Sequence, residues 1–384
     1  MIYDTPIHIV AAKRSPIGRL GGGLSQFAAP ELAAQTASAV IGDGHRGNVD
    51  QVILGQVLQA GCGMNAARQA ALAVGVPEAS PALTVNMVCG SGLKAVALGA
   101  DAIMAGEASL VLAGGVESMS CTPHYAIDAR SGKKLGSAKL LDAILTDGLT
   151  DPGSGRGMGD IAEAWTRGHG IPREQQDAFA LRSQQRAAEA RDAFAREIVP
   201  IGDVTADEHP RPDTTLEKLQ SLAPAFAADG AITAGNASGI NDGAAIVLLA
   251  NDAAMEANGL ESRACIIGAA TVGCEPVQFG LGPVGAVRQL CAETGWDLAG
   301  VDAVEINEAF AVQTLACAKE LQLSDEQLNP RGGAIALGHP IGASGARILV
   351  TLLHYLEDTD GHRGIAALCV GGGMGIAMAI ELKD

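Results

Sequence analysis

The chain alternates apolar runs with glycine- and serine-rich turns and with amphipathic segments. Residues 82–88 form an apolar run that predicts a buried strand, and the turn Gly90-Ser91-Gly92 follows it. The next segment, which continues to Met104, places apolar residues at helical spacing and therefore predicts a helix with one buried face. Those residues are Leu93, Val96, Ala97, Ala100, Ile103 and Met104. The order strand, turn, helix, strand predicts a layered α/β fold.

Three short segments of the first part of the chain recur in the same order about 250 residues later. The matching pairs are VDQV at residue 49 with VDAV at 301, SGLK at 91 with SGAR at 344, and LVLAGG at 110 with ALCVGG at 367. Each pair is short, but the shared order and nearly constant spacing indicate two homologous halves.

The two halves diverge after the third repeated segment. In the second half, Gly371-Gly372-Gly373 leads at once into another apolar strand, residues 375–382. In the first half the comparable strand, residues 244–250, comes only about 130 residues further on, which predicts an inserted domain. That domain is rich in Gly, Pro and Asp. It contains a predicted helix at roughly 173–196, for which Pro172 is the start signal. The predicted division is 1–119 with 241–270 for the first half, 120–240 for the insertion and 271–384 for the second half.

Composition narrows the choice of function. Among 384 residues, 48% are hydrophobic, 3% are aromatic and 50 are glycine, which favours a tightly packed core of small aliphatic side chains. The net charge of −17 argues against nucleic acid or an anionic membrane as a partner, so an anionic ligand needs a local basic pocket. The most apolar stretch, residues 365–380, is broken by glycines and is too short to span a bilayer as a helix. Eight cysteines without a short repeating spacing, and an opening segment unlike a signal peptide, favour the reducing cytoplasm.

Four residues stand out as candidates for chemistry. Cys89 lies where the predicted strand turns into a helix, and a thiolate at that position is stabilised by the positive end of the helix. A small buried cysteine in a glycine turn is the alternative interpretation. His339 precedes the Gly342-Ala343-Ser344-Gly345 turn, which is the repeat counterpart of the Cys89 turn, so a pseudo-twofold relation points both turns toward one crevice. An ordinary loop role for His339, a core role for Cys369 and a capping role for Asn307 remain open alternatives.

Six blocks of the sequence are similar to the signature segments of thiolases, most closely those of the acetyl-CoA acetyltransferase type. They are VNMVCGSGLKAV from Val85, GGVESMS from Gly114, AGNASGINDGAA from Ala234, INEAFA from Ile306, GGAIALGHPIGASGAR from Gly332 and CVGGGMG from Cys369. The resemblance covers essentially the whole chain. It implies the thiolase fold, with two βαβαβαββ halves in a five-layered α-β-α-β-α core and a loop domain inserted in the first half.

The resemblance also implies roles for these residues. Cys89, activated by His339, would attack an acyl thioester and carry the acyl group. Cys369 would move the α-proton of a second acetyl-CoA. His339 and a water held by Asn307 would stabilise the enolate oxygen, and the backbone N–H groups of Cys89 and Gly371 would form a second oxyanion hole.

For coenzyme A, the resemblance points mainly to the loop domain. Arg211 would stack on the adenine, although a solvated surface charge is the alternative, and Ser238 would contact the pantetheine arm. Apolar residues would line the substrate path, namely Met158, Phe226, Phe279, Ala309 and Phe310, with Phe279 in the acyl pocket. Coenzyme A is then substrate and product, and no metal and no other cofactor are expected.

Departures from the family pattern affect substrate choice and CoA binding. Gly157-Met158-Gly159 stands where acetoacetyl-specific enzymes have His-Met-Gly, the stretch from Val199 to Pro210 is shorter than usual, and Lys218 replaces a common serine. A longer-chain 3-ketoacyl-CoA thiolase is therefore an alternative.

Other classes fit the sequence less well, and the family suggests an assembly. A non-catalytic acyl-CoA or lipid-binding relative need not keep all four candidate residues, and a ketoacyl synthase does not use Cys369. A cysteine hydrolase explains neither the second cysteine nor the duplication. The segment from Met119 to Asp147 is similar to a loop that joins dimers, which predicts a homotetramer in preference to a dimer.

Overall fold

A computed structural model of the chain describes residues 1–42 and 44–383. The strands are β1 (His8–Arg14), β2 (Gly18–Arg19), β3 (Gln51–Gly55), β4 (Ala82–Val85), β5 (Leu110–Ser118), β6 (His124–Tyr125), β7 (Leu141–Asp142), β8 (Asn241–Ala250), β9 (Ala264–Gly273), β10 (Ala303–Ile306), β11 (Arg363–Val370) and β12 (Met374–Glu381). The helices are α1 (Ala29–Ile41), α2 (Ala66–Ala73), α3 (Ser91–Met104), α4 (Met158–His169), α5 (Arg173–Glu189), α6 (Arg191–Phe194), α7 (Leu216–Gln220), α8 (Asp252–Asn258), α9 (Gly282–Thr294), α10 (Ala311–Leu321), α11 (Ala334–Leu337) and α12 (Ser344–Asp358).

The strand order shows the duplication directly. The order is β10-β11-β12-β9-β1-β8-β5-β3-β4, and only two residue pairs, His8 with Cys265 and Ile9 with Ala264, join β1 to β9. On either side of that junction the same sequence of antiparallel, antiparallel and parallel pairings recurs. The two halves predicted from the short repeats therefore form two sheets with the same strand pairing, joined at β1 and β9.

Five layers result from this arrangement. Helices α3 and α12 lie between the two sheets, and the central core contains residues of both helices and of both sheets. Helices α1 and α2 cover the outer face of the first sheet, and α9 and α10 cover the outer face of the second. Because α3 is covered on both sides, apolar residues all round the helix are buried, and not only those of the one predicted face.

The two central helices meet at the glycines of the repeated segments. A side chain on Gly92 would come within 2.9 Å of the Ala346 nitrogen, and one on Gly345 within 2.5 Å of the Leu93 nitrogen. Only glycine allows this backbone approach. The contact brings the amino-terminal ends of α3 and α12 together, which places the turns that precede them side by side.

The second half departs from the predicted βαβαβαββ order. In the described residues, the counterpart of β4 is a single parallel bridge between Val304 and Leu328. Asn329 has a positive φ of 45° and uses its side chain to bond the backbone of Ile306, and Pro330 lacks an N–H group. Both features end strand pairing at that point.

The inserted segment lies between β5 and β8 and is anchored on the core by a buried ion cluster. The guanidinium of Arg14 on β1 donates to Glu197 at 2.5 Å and to Asp207 at 2.7 and 2.9 Å, and both carboxylates belong to the insertion. Removing one partner of such a buried cluster typically costs about 3–5 kcal/mol. The predicted boundary at residue 270 falls inside β9, which pairs with β12 and thus lies in the second sheet.

Two predicted elements end earlier than expected. The helix predicted at 173–196 starts at Arg173, as expected, but is interrupted at Ala190. After the interruption, Phe194 packs with Ile17 and Leu337 in a small core cluster. The strand predicted at 82–88 ends at Val85, because the following residues form the turn that carries Cys89.

Candidate active site

Cys89 lies in a tight turn between β4 and α3. Val88, a β-branched residue, has a φ of 47°, which is a strained conformation for such a side chain. Ser91 holds the turn because its hydroxyl accepts the Met87 N–H at 2.8 Å and donates to the Val88 carbonyl at 2.6 Å. The backbone is thus fixed in a shape that presents the Cys89 thiol to the crevice.

The protonation state of Cys89 differs from the sequence-based expectation. Burial raises the pKa of the Cys89 thiol to about 11, while the backbone N–H groups of Gly371 and Cys89 act in the opposite direction. The expectation of a thiolate stabilised at the helix end was wrong, because desolvation in the finished fold outweighs the N–H groups. The Cys89 thiol is therefore neutral at rest, and a nucleophilic role would require a base.

His339 is buried and lines the same cavity as Cys89. Its Nδ1 lies 2.6 Å from the Ser344 hydroxyl. That hydroxyl donates a hydrogen bond to the Pro340 carbonyl at 2.9 Å. The hydroxyl therefore accepts from Nδ1–H, and this leaves the lone pair on Nε2. Burial lowers the pKa of His339 to about 3, and the nearby Arg347 charge adds to the effect. A neutral imidazole thus directs an unprotonated nitrogen away from Ser344.

Asn307 follows β10 and is fully buried beside His339. Its amide nitrogen lies 3.4 Å from His339 Nε2, and its Oδ1 has no hydrogen-bond partner in the described part of the chain. A buried polar atom without a partner is costly, so this oxygen is suited to hold a water or a substrate group. The capping role considered for Asn307 does not apply, since no helix begins there.

Cys369 is the penultimate residue of β11 and is 1% exposed. Burial raises its pKa well above the ordinary value, and the nearby Cys89 contributes in the same direction. The two thiols are therefore close enough to influence each other, and both are protonated at rest.

Cys89, His339 and Cys369 line one apolar cavity of about 60 Å³, and Asn307 lies behind its wall beside His339. Nine of the residues predicted from the sequence line it, namely Cys89, Met158, Ser238, Phe279, Ala309, Phe310, His339, Cys369 and Gly371. A wider cavity of about 520 Å³ shares Met158, Ser238, Phe310 and His339 with it. Phe226 lines that wider cavity, and its ring lies 6.3 Å from the ring of Phe310 in an edge arrangement. The two cavities therefore adjoin, and both thiols line the smaller one.

Arg211 is not brought into this cavity. It lines a separate space of about 220 Å³ together with His209, Lys218 and Ala234. The structure thus assembles the predicted catalytic residues in one place and puts Arg211 in another.

Three residues of the quoted blocks support the site, although the sequence did not assign them a role. Buried Glu117 accepts N–H bonds from Val57, Leu58 and Gly342 at 2.9 to 3.1 Å and so ties the two halves together. Asn241 accepts the His339 N–H at 2.9 Å. Ser344 orients the imidazole. Their position inside the glycine-rich blocks was the only available signal.

Two features are absent from the described residues. No helix in residues 1–42 and 44–383 has the length and apolar character to cross a bilayer. Within the same residues, no three His, Cys, Asp or Glu side chains are grouped so as to hold a metal ion.

The chain is similar to known proteins over its full length. Residues 7–253 match the family described as Thiolase, N-terminal domain, and residues 260–382 match Thiolase, C-terminal domain. It is 50% identical over 388 residues to an acetyl-CoA acetyltransferase of Chromobacterium violaceum, covering 98% of this chain and 99% of that protein. It is 46% identical over 390 residues to the cytosolic acetyl-CoA acetyltransferase of Rattus norvegicus, covering 98% of each. The crystal structure of human mitochondrial 3-ketoacyl-CoA thiolase in complex with CoA has a TM-score of 0.97 at 42% identity, covering 100% of this chain and 99% of that one.

Proposed function

Because the chain belongs to the thiolase family, we propose that it is an acyltransferase that reversibly condenses two acetyl-CoA molecules to a 3-ketoacyl-CoA through an acyl-Cys89 intermediate. The family and fold predicted from the six sequence blocks are confirmed. The observation that carries the mechanism is the meeting of Cys89, His339 and Cys369 at one small cavity, with Asn307 beside His339. A protein that only binds acyl-CoA has no need of this arrangement.

The first half-reaction forms the acyl-enzyme. His339 Nε2 takes the proton of Cys89 as its sulfur attacks the thioester carbonyl, since neither group is ionised beforehand. The N–H groups of Cys89 and Gly371 stabilise the oxyanion. In the resting enzyme the same two N–H groups lower the pKa of the Cys89 thiol, although burial outweighs them. Cys369 gives its proton to the departing CoA sulfur. The acyl group then sits on Cys89, with a thiolate at Cys369 and an imidazolium at His339.

The second half-reaction forms the carbon–carbon bond. The Cys369 thiolate removes the α-proton of a second acetyl-CoA, and the enolate oxygen is stabilised by the His339 N–H and a water held by Asn307. The enolate carbon attacks the acyl carbonyl on Cys89, and the released Cys89 sulfur takes back the proton from His339. All three residues return to their resting forms, and thiolytic cleavage is the same sequence in reverse. No metal or other cofactor is needed for these transfers, because CoA itself is substrate and product.

Substrate contacts follow from the two connected cavities. We assign the pantetheine arm to the wider cavity, beside Ser238, Phe226 and Phe310, and the acyl group to the small cavity, between Met158, Phe279 and Ala309. Arg211, in the separate space, belongs to the nucleotide end of CoA.

One observation favours a second candidate, a thiolase for longer 3-ketoacyl chains. Gly157 lines the wider cavity and contributes no side chain there. Purified protein should be assayed for CoA-dependent cleavage of 3-ketoacyl-CoAs of increasing chain length. Activity limited to acetoacetyl-CoA supports the acetyl-specific function, activity that continues with longer chains supports the second candidate, and no cleavage of any substrate contradicts both.

We further propose a homotetramer in the cytoplasm without nucleic acid or membrane partners. The arm between β6 and β7 supports the tetramer, because it exposes large apolar side chains such as Ile127 and Leu135, which are 67% and 91% exposed. A closed dimer of dimers is the symmetric way to cover such arms. The net charge of −17 supports the absence of polyanionic partners.

A further inference from the structure

Trp165 packs against the turn that carries Phe279. This turn, Pro276–Leu281, links β9 to α9, and the Phe279 ring lines the small cavity. Trp165 Nε1 donates to Gln278 Oε1 at 2.8 Å. The indole also packs on Gly280, since its Cη2 lies 3.3 Å from where a side chain on that residue would begin. One side chain therefore contacts both neighbours of Phe279.

Helix α4 connects this turn to the reaction centre. Met158, the first residue of the helix, lines the small cavity, and Trp165 lies on the same face about two helical turns further on. The core cluster that buries Trp165 also contains Phe279 and Cys369. The position of the Phe279 ring thus depends on the same helix that forms part of the wall of the small cavity.

The outer side of the turn faces solvent. Val277 is 48% exposed, whereas Phe279 points inward and is 3% exposed. One end of the turn has a further contact, because the Cys317 thiol donates to the Gly280 carbonyl at 3.0 Å. The other end is held by the indole N–H at Gln278. A surface turn that loses an internal contact moves more easily than a buried element does, and movement of the Phe279 ring would lengthen the small cavity.

We propose that Trp165 is a specificity-determining residue that limits the enzyme to short 3-ketoacyl chains, because it fixes the Phe279 ring at the wall of the small cavity. The inference rests on the proposed acyltransferase function and defines its substrate class. A cavity of about 60 Å³ holds roughly four water-sized groups, which accommodates an acetyl group but not a longer chain. Each further methylene group must therefore displace the Phe279 ring, and one methylene changes selectivity by about 10- to 200-fold in a hydrophobic pocket.

The test compares kcat/KM for CoA-dependent cleavage of acetoacetyl-CoA and of 3-ketooctanoyl-CoA. The wild type should prefer acetoacetyl-CoA by about 100-fold or more. Gln278→Leu removes the acceptor of the indole N–H without opening a hole in the core, and it should raise the ratio of kcat/KM for 3-ketooctanoyl-CoA to that for acetoacetyl-CoA about tenfold. Gln278→Glu keeps an acceptor oxygen and should retain the wild-type ratio. A general loss of stability lowers kcat/KM for both substrates and leaves their ratio unchanged.

Tryptophan variants show whether the effect passes through Phe279. Trp165→Phe should also raise the ratio about tenfold. Trp296→Phe is the matched control, because it replaces the other tryptophan of the chain, which packs against Arg363, and it should leave the ratio unchanged. Phe279→Ala should raise the ratio by itself. Adding Trp165→Phe to it should have no further effect, since the ring that Trp165 positions is then absent.

Three results overturn the proposal: a ratio that is unchanged in both Gln278→Leu and Trp165→Phe, additive effects of Trp165→Phe and Phe279→Ala, or a wild type that cleaves both substrates equally well. Each of them leaves the proposed function intact, because acetoacetyl-CoA is still cleaved. A wild type that cleaves neither substrate refutes the proposed function and this inference with it.

Discussion

The Ser344 hydroxyl lies 2.6 Å from His339 Nδ1 and donates a hydrogen bond to the Pro340 carbonyl. This relationship decides which imidazole nitrogen carries the proton. Without it, the neutral ring could place its N–H toward the crevice, and the lone pair that must take the Cys89 proton would be lost. In the proposed mechanism Ser344 is therefore a positioning residue, and Cys89, His339 and Cys369 are the groups that would contact the reacting atoms.

Ser344→Ala should lower kcat about tenfold or more, because the imidazole loses its fixed tautomer. The KM for acetyl-CoA should change little, because Ser344 lines neither of the two cavities assigned to the substrate. Thr36→Ala is the control, because Thr36 also donates from a buried helix to the backbone four residues earlier but lies far from the site. Both variants should lose about 1 kcal/mol of stability, and equal activity in the two would refute the role of Ser344.

Replacing Cys369 should separate the two half-reactions. In Cys369→Ala, condensation should become undetectable because no base removes the α-proton. His339, which has taken the Cys89 proton, can protonate the departing CoA in place of Cys369. Acetyl exchange between acetyl-CoA and free CoA should therefore be reduced but measurable. Cys317→Ala removes another buried thiol, which bonds the Gly280 carbonyl, and should retain both activities. If exchange and condensation fall equally in Cys369→Ala, the result would count against Cys369 as the base.

The pKa of Cys89 predicts how the free enzyme reacts with alkylating agents. With a pKa of about 11, only on the order of one thiol in 10,000 is ionised at pH 7. Since the thiolate is the reactive form, the alkylation rate of Cys89 should rise about tenfold for each pH unit between about pH 7 and pH 10. Mass spectrometry of the Cys89 peptide gives the rate at each pH. A plateau below about pH 8 would mean that the resting thiolate is stabilised after all.

The arm between β6 and β7 should control assembly. Deleting residues 130–137 removes exposed residues but keeps the pairs of His124 with Asp142 and of Tyr125 with Leu141. Light scattering at micromolar concentration should report a tetramer for the full chain and a dimer for the deletion. A full chain that is already a dimer would contradict the tetramer, and a monomer would contradict both interfaces.

The sequence predicted the parts of the site that depend on local signals. The repeated segments at Gly92 and Gly345 indicated two equivalent turns, and these glycines prove to be the contact that brings Cys89 and His339 together. Strand, turn and helix around each of them follow from apolar spacing and glycine alone.

Features that depend on distant contacts could not be predicted in this way. The pKa of Cys89 results from desolvation by both halves, so the helix end by itself gave the wrong direction. The interruption of the insertion helix at Ala190 results from the packing of Phe194 against Ile17 and Leu337. In the second half, the counterpart of β4 is only the bridge between Val304 and Leu328. Its shortening depends on the side chain of Asn329, whose partner Ile306 is 23 residues away.

The most direct measurement of the central claim is the site of the acyl group. The protein should be mixed with acetyl-CoA, quenched in acid and digested, and each cysteine peptide should be weighed by mass spectrometry. The account predicts an acetyl group on Cys89 alone, and its absence in Cys89→Ser together with a loss of at least about 1,000-fold in activity, because a serine hydroxyl stays protonated at neutral pH. An acetyl group on another cysteine, with Cys89→Ser still active, would contradict it.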